Sequence, residues 1–480
     1  MIDKKKIVEL IEPHFYEELL ESNYKISTRN AKNLLTSTRF DLAFKLLYLE
    51  MLDKKVNFSK NVYREHIRAF SLGRFKEPGQ LEKNSIEKYI ESFLDTLKDI
   101  KTNGFNSSQS LVPLSRNGSI ANGSHRVASA IFLEQEVECV SLEAKDHIYD
   151  YKFFFYRNVS REQLDLATTK FVEYADNVYI AFVWPTAVGH DSELEDVIPN
   201  IVYRRDVKLS ANGAHNLLSQ IYYGEPWLGS VDNNFSGSKG KLVECFKTFD
   251  PVRVIAFQAK SLDEVLNIKE RVRKLFNVGK HSIHITDTKE EAVRVARIVF
   301  NENSIHFLNY AQPNKYRSTH SKLKKFREFL VKNKINNDDI ILDSGIVLSL
   351  YGLRVASDID YLASDKVIVE NDDEELEYHD EELEYHDEEK AELIYNPKFY
   401  FYFNDMKFIS FNQLYKMKKN RAEQKDINDY RSMESIIENN RFKKIKSKIK
   451  QRIYYEKLKF RSKINRLLKF FHLFDFVRRI

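Results

Sequence analysis

Apolar residues recur at i, i+3, i+4 and i+7 in FDLAFKLLYLEML (40–52) and SIEKYIESFLDTLKDI (85–100). That spacing lines one face of an amphipathic helix, so residues 1–100 are predicted to be mainly helical. Asn84 or Ser85 is placed to cap the second helix at its start, and Gly104 to close it. The texture changes at residue 110. SLVPLSRNGSIANGSHRVASAIFLEQEVECVSLE (110–143) reads strand, turn, short strand, turn, helix, strand. Asn117-Gly118 is a hairpin signal.

In the middle of the chain, VYIAFVWP (178–185), PVRVIAFQA (251–259) and HSIHITD (281–287) have the short apolar runs of strands. SLDEVLNIKERVRKLF (261–276) and TKEEAVRVARIVF (288–300) have helical periodicity. Strands alternating with helices predict an α/β layer. GSVDNNFSGSKGK (229–241), between them, reads as a flexible loop around a packed Trp227. The neighbouring YYGEPWLGS and GSKGK offer phosphate-binding chemistry but lack the spacing of a P-loop. His281 and His284 are three apart on the expected strand and would face opposite sides, which argues against a shared metal.

A basic helix, HSKLKKFREFLVKNK (320–334), marks a boundary. Beyond it come DDIILDSGIVLSLYGLRVASDIDYLAS (338–364), an acidic run over 370–392, a strand pair within 398–411 and a helix through 418–437. EELEYHD occurs twice in tandem, at 374–380 and 381–387. Two copies are too few for a solenoid, and a run of this charge is expected to be a solvated surface loop. Its His379 and His386 are not expected to hold a metal.

Composition narrows the class. The chain has 480 residues, 42% of them hydrophobic, with 34 Phe and 26 Tyr. That is enough apolar surface for several cores, and the length suggests about three domains. Cys139 and Cys245 are too few for a disulfide framework. Without a signal-like N-terminus or a membrane-length apolar run, the expected address is the cytoplasm. Net charge is only +5. The tail 441–480, however, holds fifteen Lys or Arg against Glu456 and Asp475. It is read as a basic amphipathic segment lying on an anionic inner-membrane face, or packing on the acidic run, or, third, binding nucleic acid.

The chemistry concentrates in SGIVLSLYGLRVASDIDY (344–361). Asp358 and Asp360 flank Ile359. Two Asp at i and i+2 on a strand share a face, roughly 6–7 Å apart. Such a pair suits a hard divalent ion, Mg²⁺ or Mn²⁺, of the kind nucleotidyl transfer uses to neutralise a triphosphate. Ser344-Gly345 lies between an expected strand (IILD) and helix (IVLSLYG), where backbone N–H groups can meet phosphate. This segment resembles the nucleotidyltransferase superfamily, above all the nucleotidyltransferase-like proteins of bacterial surface-polysaccharide loci. The turn is inverted, Ser-Gly for Gly-Ser. The resemblance covers about residues 335–435. It implies that Asp358 and Asp360 are catalytic and hold metal, and that Ser344, Gly345 and Arg354 contact an NTP, ATP or CTP. It also implies that Lys418, Arg421, Lys425 and Asp426 line the nucleotide side. A third carboxylate is not evident; Asp405 is the candidate, although Asn404-Asp405 also reads as a turn.

A second stretch, INGSHRVASAIFLEQEVECV, resembles the phosphate-binding motif of the ParB/sulfiredoxin fold, which includes CTPases and free-serine kinases. That resemblance implies a Gly-X-X-Arg phosphate turn over Gly123, Ser124, His125 and Arg126, with Glu77 as general base on an acceptor hydroxyl. The residues alone also allow a structural His125, an internally paired Arg126 and a merely solvated Glu77.

The expected architecture is a multidomain α/β and α+β chain. It comprises a helical lead-in with a ParB/sulfiredoxin-like domain (1–150), an uncharacterised α/β region (151–318), a nucleotidyltransferase-like mixed sheet with helices (319–438) and a basic tail (439–480). The expected function is a metal-dependent nucleotidyltransferase that activates a small phosphorylated or hydroxyl-bearing precursor of capsule or surface polysaccharide, with a small-molecule kinase step at the N-terminal domain. The rivals are a ParB-like, CTP-dependent DNA-binding protein and a toxin-type nucleotidyltransferase acting on RNA or protein.

Overall fold

The structure, a computed structural model, describes residues 2–76, 82–367, 373 and 375–437, with isolated helical positions between 449 and 468. Glu77 and most of the basic tail lie outside the described residues. The protein is mixed α/β, with four separate sheets among the described residues.

The N-terminal region follows its sequence pattern. Helices span Asp41–Glu50, Phe58–Phe70, Ile86–Asn103 and Ser124–Phe132. Ser85 caps the third by accepting from the Lys88 amide, and Gly104 ends it at φ 73°. These helices pack on a three-stranded sheet in the order Ile26–Asn30, Glu136–Ser141, Val112–Leu114. The central strand is antiparallel to the first and parallel to the last. A buried charge group sits at the start of the helix Asp41–Glu50: Asp41 takes Arg39 at 2.8 Å and Lys45 at 2.9 Å. Burying a carboxylate is tolerable only with such compensation.

The middle sheet runs Ile201–Val207, Val252–Gln258, Val178–Val183, Ile283–Ile285. Every neighbouring pair is antiparallel. The alternation of strands and helices along the chain therefore does not make a parallel βαβ sheet here. The sheet is nevertheless covered on both faces. Ala181, Val183, Ile255 and Phe257 pack against helix Leu262–Phe276 in one cluster. Ile180, Phe182, Val254 and Ala256 join the main core with Phe171, Leu217 and Val295. This two-sided burial explains the continuous apolar runs of these strands. The 229–241 stretch, expected to be a flexible loop, folds into a turn at Val231–Asn233 and a helix over Ser238–Cys245.

The C-terminal sheet has five strands, in the order Leu376–Tyr378, Ile359–Ala363, Ile340–Asp343, Met406–Ile409, Tyr400–Phe403. It is mixed, as expected: Ile340–Asp343 is antiparallel to Ile359–Ala363 and parallel to Met406–Ile409. Asn404 and Asp405 form the two-residue hairpin loop at φ 48° and 60°. That conformation fits the right-handed twist of the flanking strands. Helices Glu302–Tyr310, Gly345–Leu350 and Lys390–Tyr395 contact the sheet, and Arg317–Lys332 packs Phe326 and Phe329 against Tyr361; Gln424–Ile437 packs on Phe411–Arg421. The largest hydrophobic cluster extends from Ala31 to Met433 through all three regions. Among the described residues, no helix is long and apolar enough to cross a membrane.

Candidate functional site

The site is built where two neighbouring strands meet a turn. Ile340–Asp343 ends at Ser344, and helix Gly345–Leu350 begins at once. The antiparallel neighbour brings Asp360 directly opposite Asp343. Asp358 sits one residue before that strand, on the same face as Asp360. The Gly345 amide donates to Asp360 Oδ2 at 3.3 Å.

The third carboxylate comes from an unexpected segment. Strand Leu376–Tyr378, inside the first EELEYHD copy, pairs in parallel with Ile359–Ala363 and sets Glu377 opposite Asp360. One oxygen from each of Asp358, Asp360 and Glu377 lies within 4.8 Å of the others. Asp405, by contrast, stays in its hairpin loop. The signal for Glu377 was present as Leu376-Glu377-Tyr378, an alternating triplet. It was masked because the acidic run around it reads as solvated.

Both histidines of the repeat fold back to the same carboxylate. His386 Nε2 lies 3.3 Å from Asp343 Oδ2, and His379 Nδ1 lies 3.9 Å from it. His379 Nε2 is also 3.9 Å from Asp360 Oδ1 and from Glu382. The tandem repeat is thus a wall of the site. Burial alone would raise the Asp343 carboxyl, but the two imidazoles beside it, His379 and the hydrogen-bonded His386, outweigh burial and hold it far below the usual range. Asp360 goes the other way. Burial pushes it up to about 6, His379 opposes, and Asp358 and Asp343 add repulsion. Burial opposes charge on His379 too, but Asp343, Asp360 and Glu382 together raise its imidazole above the ordinary value.

The turn itself is strained. Ser344 takes φ 53°, ψ −119°, a region that favours glycine, and its buried Oγ has no hydrogen-bond partner among the described residues. The inversion of Gly-Ser to Ser-Gly therefore places the left-handed residue on Ser344. Gly345 keeps open the space beside it: a Cβ there would lie 3.5 Å from Arg354 Nη1 and 3.6 Å from Asp358 Oδ1.

Arg354 is aimed by a second layer. Its Nε and Nη2 bind the two oxygens of Asp429 at 2.8 and 3.1 Å, and Nη1, which donates to the Val355 carbonyl at 3.2 Å, lies next to Gly345. Asp429 also takes buried Lys418 at 3.0 Å, and Lys418 reaches Asp426 at 2.9 Å. Arg421 clamps Asp426 and joins Glu382 of the repeat at 2.8 Å. Lys418, Arg421 and Asp426, expected on the nucleotide side, form this internal network. Lys425 is exposed and pairs with Glu423 at 3.2 Å.

At the N-terminal turn, Gly123 (φ 85°) precedes Ser124, the first residue of its helix. His125 is enclosed by Phe93 and Tyr63 and hydrogen-bonds the Tyr63 hydroxyl at 2.9 Å. Burial, with Lys45 and Lys83 nearby, depresses its imidazole well below the ordinary value. Arg126 folds over Gly123 and pairs with Glu12 at 3.0 Å.

Comparison of the chain with protein-family models, curated proteins and solved structures finds no match.

Proposed function

We propose that the C-terminal region is a metal-dependent nucleotidyltransferase. The observation that supports this most is the convergence of Asp358, Asp360 and Glu377 within 4.8 Å, beside Gly345 and Arg354. Three oxygen donors of this kind suit a hard, small cation such as Mg²⁺ or Mn²⁺. When bound, that cation would neutralise a triphosphate and acidify an attacking hydroxyl.

The chain's own groups supply the rest. Arg354, its fork held by Asp429, presents Nη1 to an anion beside Gly345. Asp360, with its raised proton affinity, gives up its proton when a cation takes that place. Asp343 and the two repeat histidines brace the wall behind it. The acceptor class rests on the resemblance to proteins of surface-polysaccharide loci: a small phosphorylated or hydroxyl-bearing precursor.

The kinase step expected of the N-terminal region is a proposal of its own. It requires the Arg126 guanidinium to exchange Glu12 for phosphate.

The test is incubation of the full chain with each labelled NTP and Mg²⁺, comparing wild type with Asp358→Ala/Asp360→Ala and with Glu377→Gln. Loss of nucleotide turnover in both variants is expected. Unchanged turnover in the double Asp variant removes the assignment.

A further inference from the structure

A second cleft, of about 970 Å³, opens in the middle region. It is built from the Tyr222–Trp227 segment, helix Ser238–Cys245, helix Leu262–Phe276 and the turn leading into strand Ile283–Ile285. None of these elements contributes to the acidic cluster. Among the described residues, seven Lys or Arg side chains line the cleft, against a single carboxylate, Glu244. Glu244 is itself paired with Arg466 of the basic tail.

Such an imbalance is costly in a concave wall, where low-dielectric surroundings concentrate the field. Two of the cations have outside partners: Lys269 reaches Asp287 at 3.3 Å, and Arg273 reaches Glu270 at 2.5 Å. Lys239 and Lys280 have no carboxylate within ion-pair range among the described residues. Lys241 is partly buried, lies 5.4 Å from the Tyr222 ring centre, and donates to the Lys280 carbonyl, its one hydrogen bond among the described residues. Burial, reinforced by Lys280 and Arg273 and opposed by Cys245, lowers its ammonium below the ordinary value. Two side-chain nitrogens, His281 Nδ1 and the Arg273 Nε donor, are buried without a hydrogen-bond partner among the described residues. The tail adds Arg461 and Arg466 to a wall that is already positive. Like charges gathered this way, with unspent donors, are complementary to a polyvalent anion.

The other wall is aromatic. Trp227 is 45% exposed and meets Tyr222 edge-on, ring centres 5.0 Å apart. Gly237 makes this arrangement possible: a Cβ there would come within 2.0 Å of the Trp227 carbonyl oxygen. The lysine-bearing helix can therefore start hard against the tryptophan. A large planar surface beside a cationic floor fits a ring joined to several phosphates.

We propose that this cleft is a separate binding site for a nucleoside polyphosphate, with its phosphates on the Lys239, Lys241 and Lys280 floor and its base against Trp227. Binding here does not need a divalent cation, because the neutralising charge is supplied by the protein.

The molecule carries its own reporter. It has two tryptophans, and Trp184 is fully buried, so ligand-dependent fluorescence arises at Trp227. Full-length protein in EDTA is titrated with ATP, with inorganic tripolyphosphate as competitor. Expected results are saturable quenching by ATP, displacement by tripolyphosphate, and affinity that falls with salt. Lys239→Glu/Lys280→Glu should weaken ATP at least tenfold while the thermal midpoint is unchanged, since both side chains lie at the surface of the cleft. Asp358→Ala/Asp360→Ala should bind ATP in EDTA as wild type does, which separates this site from the acidic cluster. Non-saturable quenching, or equal affinity in the Lys variant, overturns the proposal. So does tight binding of a single-stranded oligonucleotide that ATP fails to displace.

Discussion

Glu377→Gln removes one negative charge while keeping the side chain's size. In the structure, oxygens of Glu377, Asp358 and Asp360 lie within 4.8 Å of one another. At that separation two unit charges repel by about 0.9 kcal/mol in water, and by about 3.5 kcal/mol at an effective dielectric near 20. Glu377 is exposed, so the lower figure applies to its two pairs, about 2 kcal/mol in total. With EDTA present, the variant should therefore be more stable than wild type, by up to about 2 kcal/mol. A saturating divalent cation reverses the order. Ligand at a hundred times its Kd stabilises the folded state by about 2.7 kcal/mol. Each tenfold loss of affinity removes about 1.4 kcal/mol of that gain. The assay is urea unfolding of both proteins at about pH 8, where Asp360, with a pKa raised to about 6, is ionised. It is run in EDTA and again across a Mn²⁺ titration. Destabilisation in EDTA, together with an unaltered Mn²⁺ response, would refute the reading of the three carboxylates as a cation site.

Other outcomes follow from the same geometry. Gly345→Ala puts a methyl group in ordinary contact with Arg354 Nη1 and Asp358 Oδ1. If the proposed nucleotidyl transfer holds, it should fold normally by circular dichroism yet lose at least about tenfold in NTP turnover, because that methyl would occupy the place proposed for a phosphate. Ser344→Gly should raise the urea midpoint by an amount equivalent to about 1 kcal/mol, since glycine relieves φ 53° and the Oγ forfeits no hydrogen bond. His306, buried among Tyr310, Tyr351 and Phe411, is pushed down to about 4 by burial. The unfolded chain therefore binds this proton more tightly, so the stability His306 contributes is complete above about pH 6.5 and is lost as pH falls toward 4, by up to about 3 kcal/mol. Unfolding of wild type and His306→Gln across that window should show a shallower pH dependence in the variant, against the shared background of His66 and His125.

Local periodicity carried much of the architecture. The helices over 40–52 and 85–100, the strand–turn–helix around Ser344 and the Asp358/Asp360 face are short-range consequences of side-chain spacing, capping residues and turn chemistry. So is the Asn404-Asp405 hairpin, whereas the mixed C-terminal sheet was an expectation of the family resemblance. Pairing partners were not legible, because they depend on chain segments far apart. Nothing near residue 180 says that the middle sheet is antiparallel throughout, since two-sided burial makes its strands read like those of a parallel sheet. The same limit hid the third carboxylate. Glu377 and His379 belong to a run whose local charge predicts solvation, yet parallel pairing with Ile359–Ala363 carries them to Asp360 and Asp343. Arg126 shows the converse. Its Gly-X-X-Arg turn is a local feature, whereas the Glu12 carboxylate that occupies it lies 114 residues away. Sequence alone thus determined most of the elements and where ionisable residues fall on them, but not the helix over Ser238–Cys245 or the strand Leu376–Tyr378. Tertiary structure decided which of those charges meet, because the energy of a charge depends on its neighbours in space and on the water they exclude.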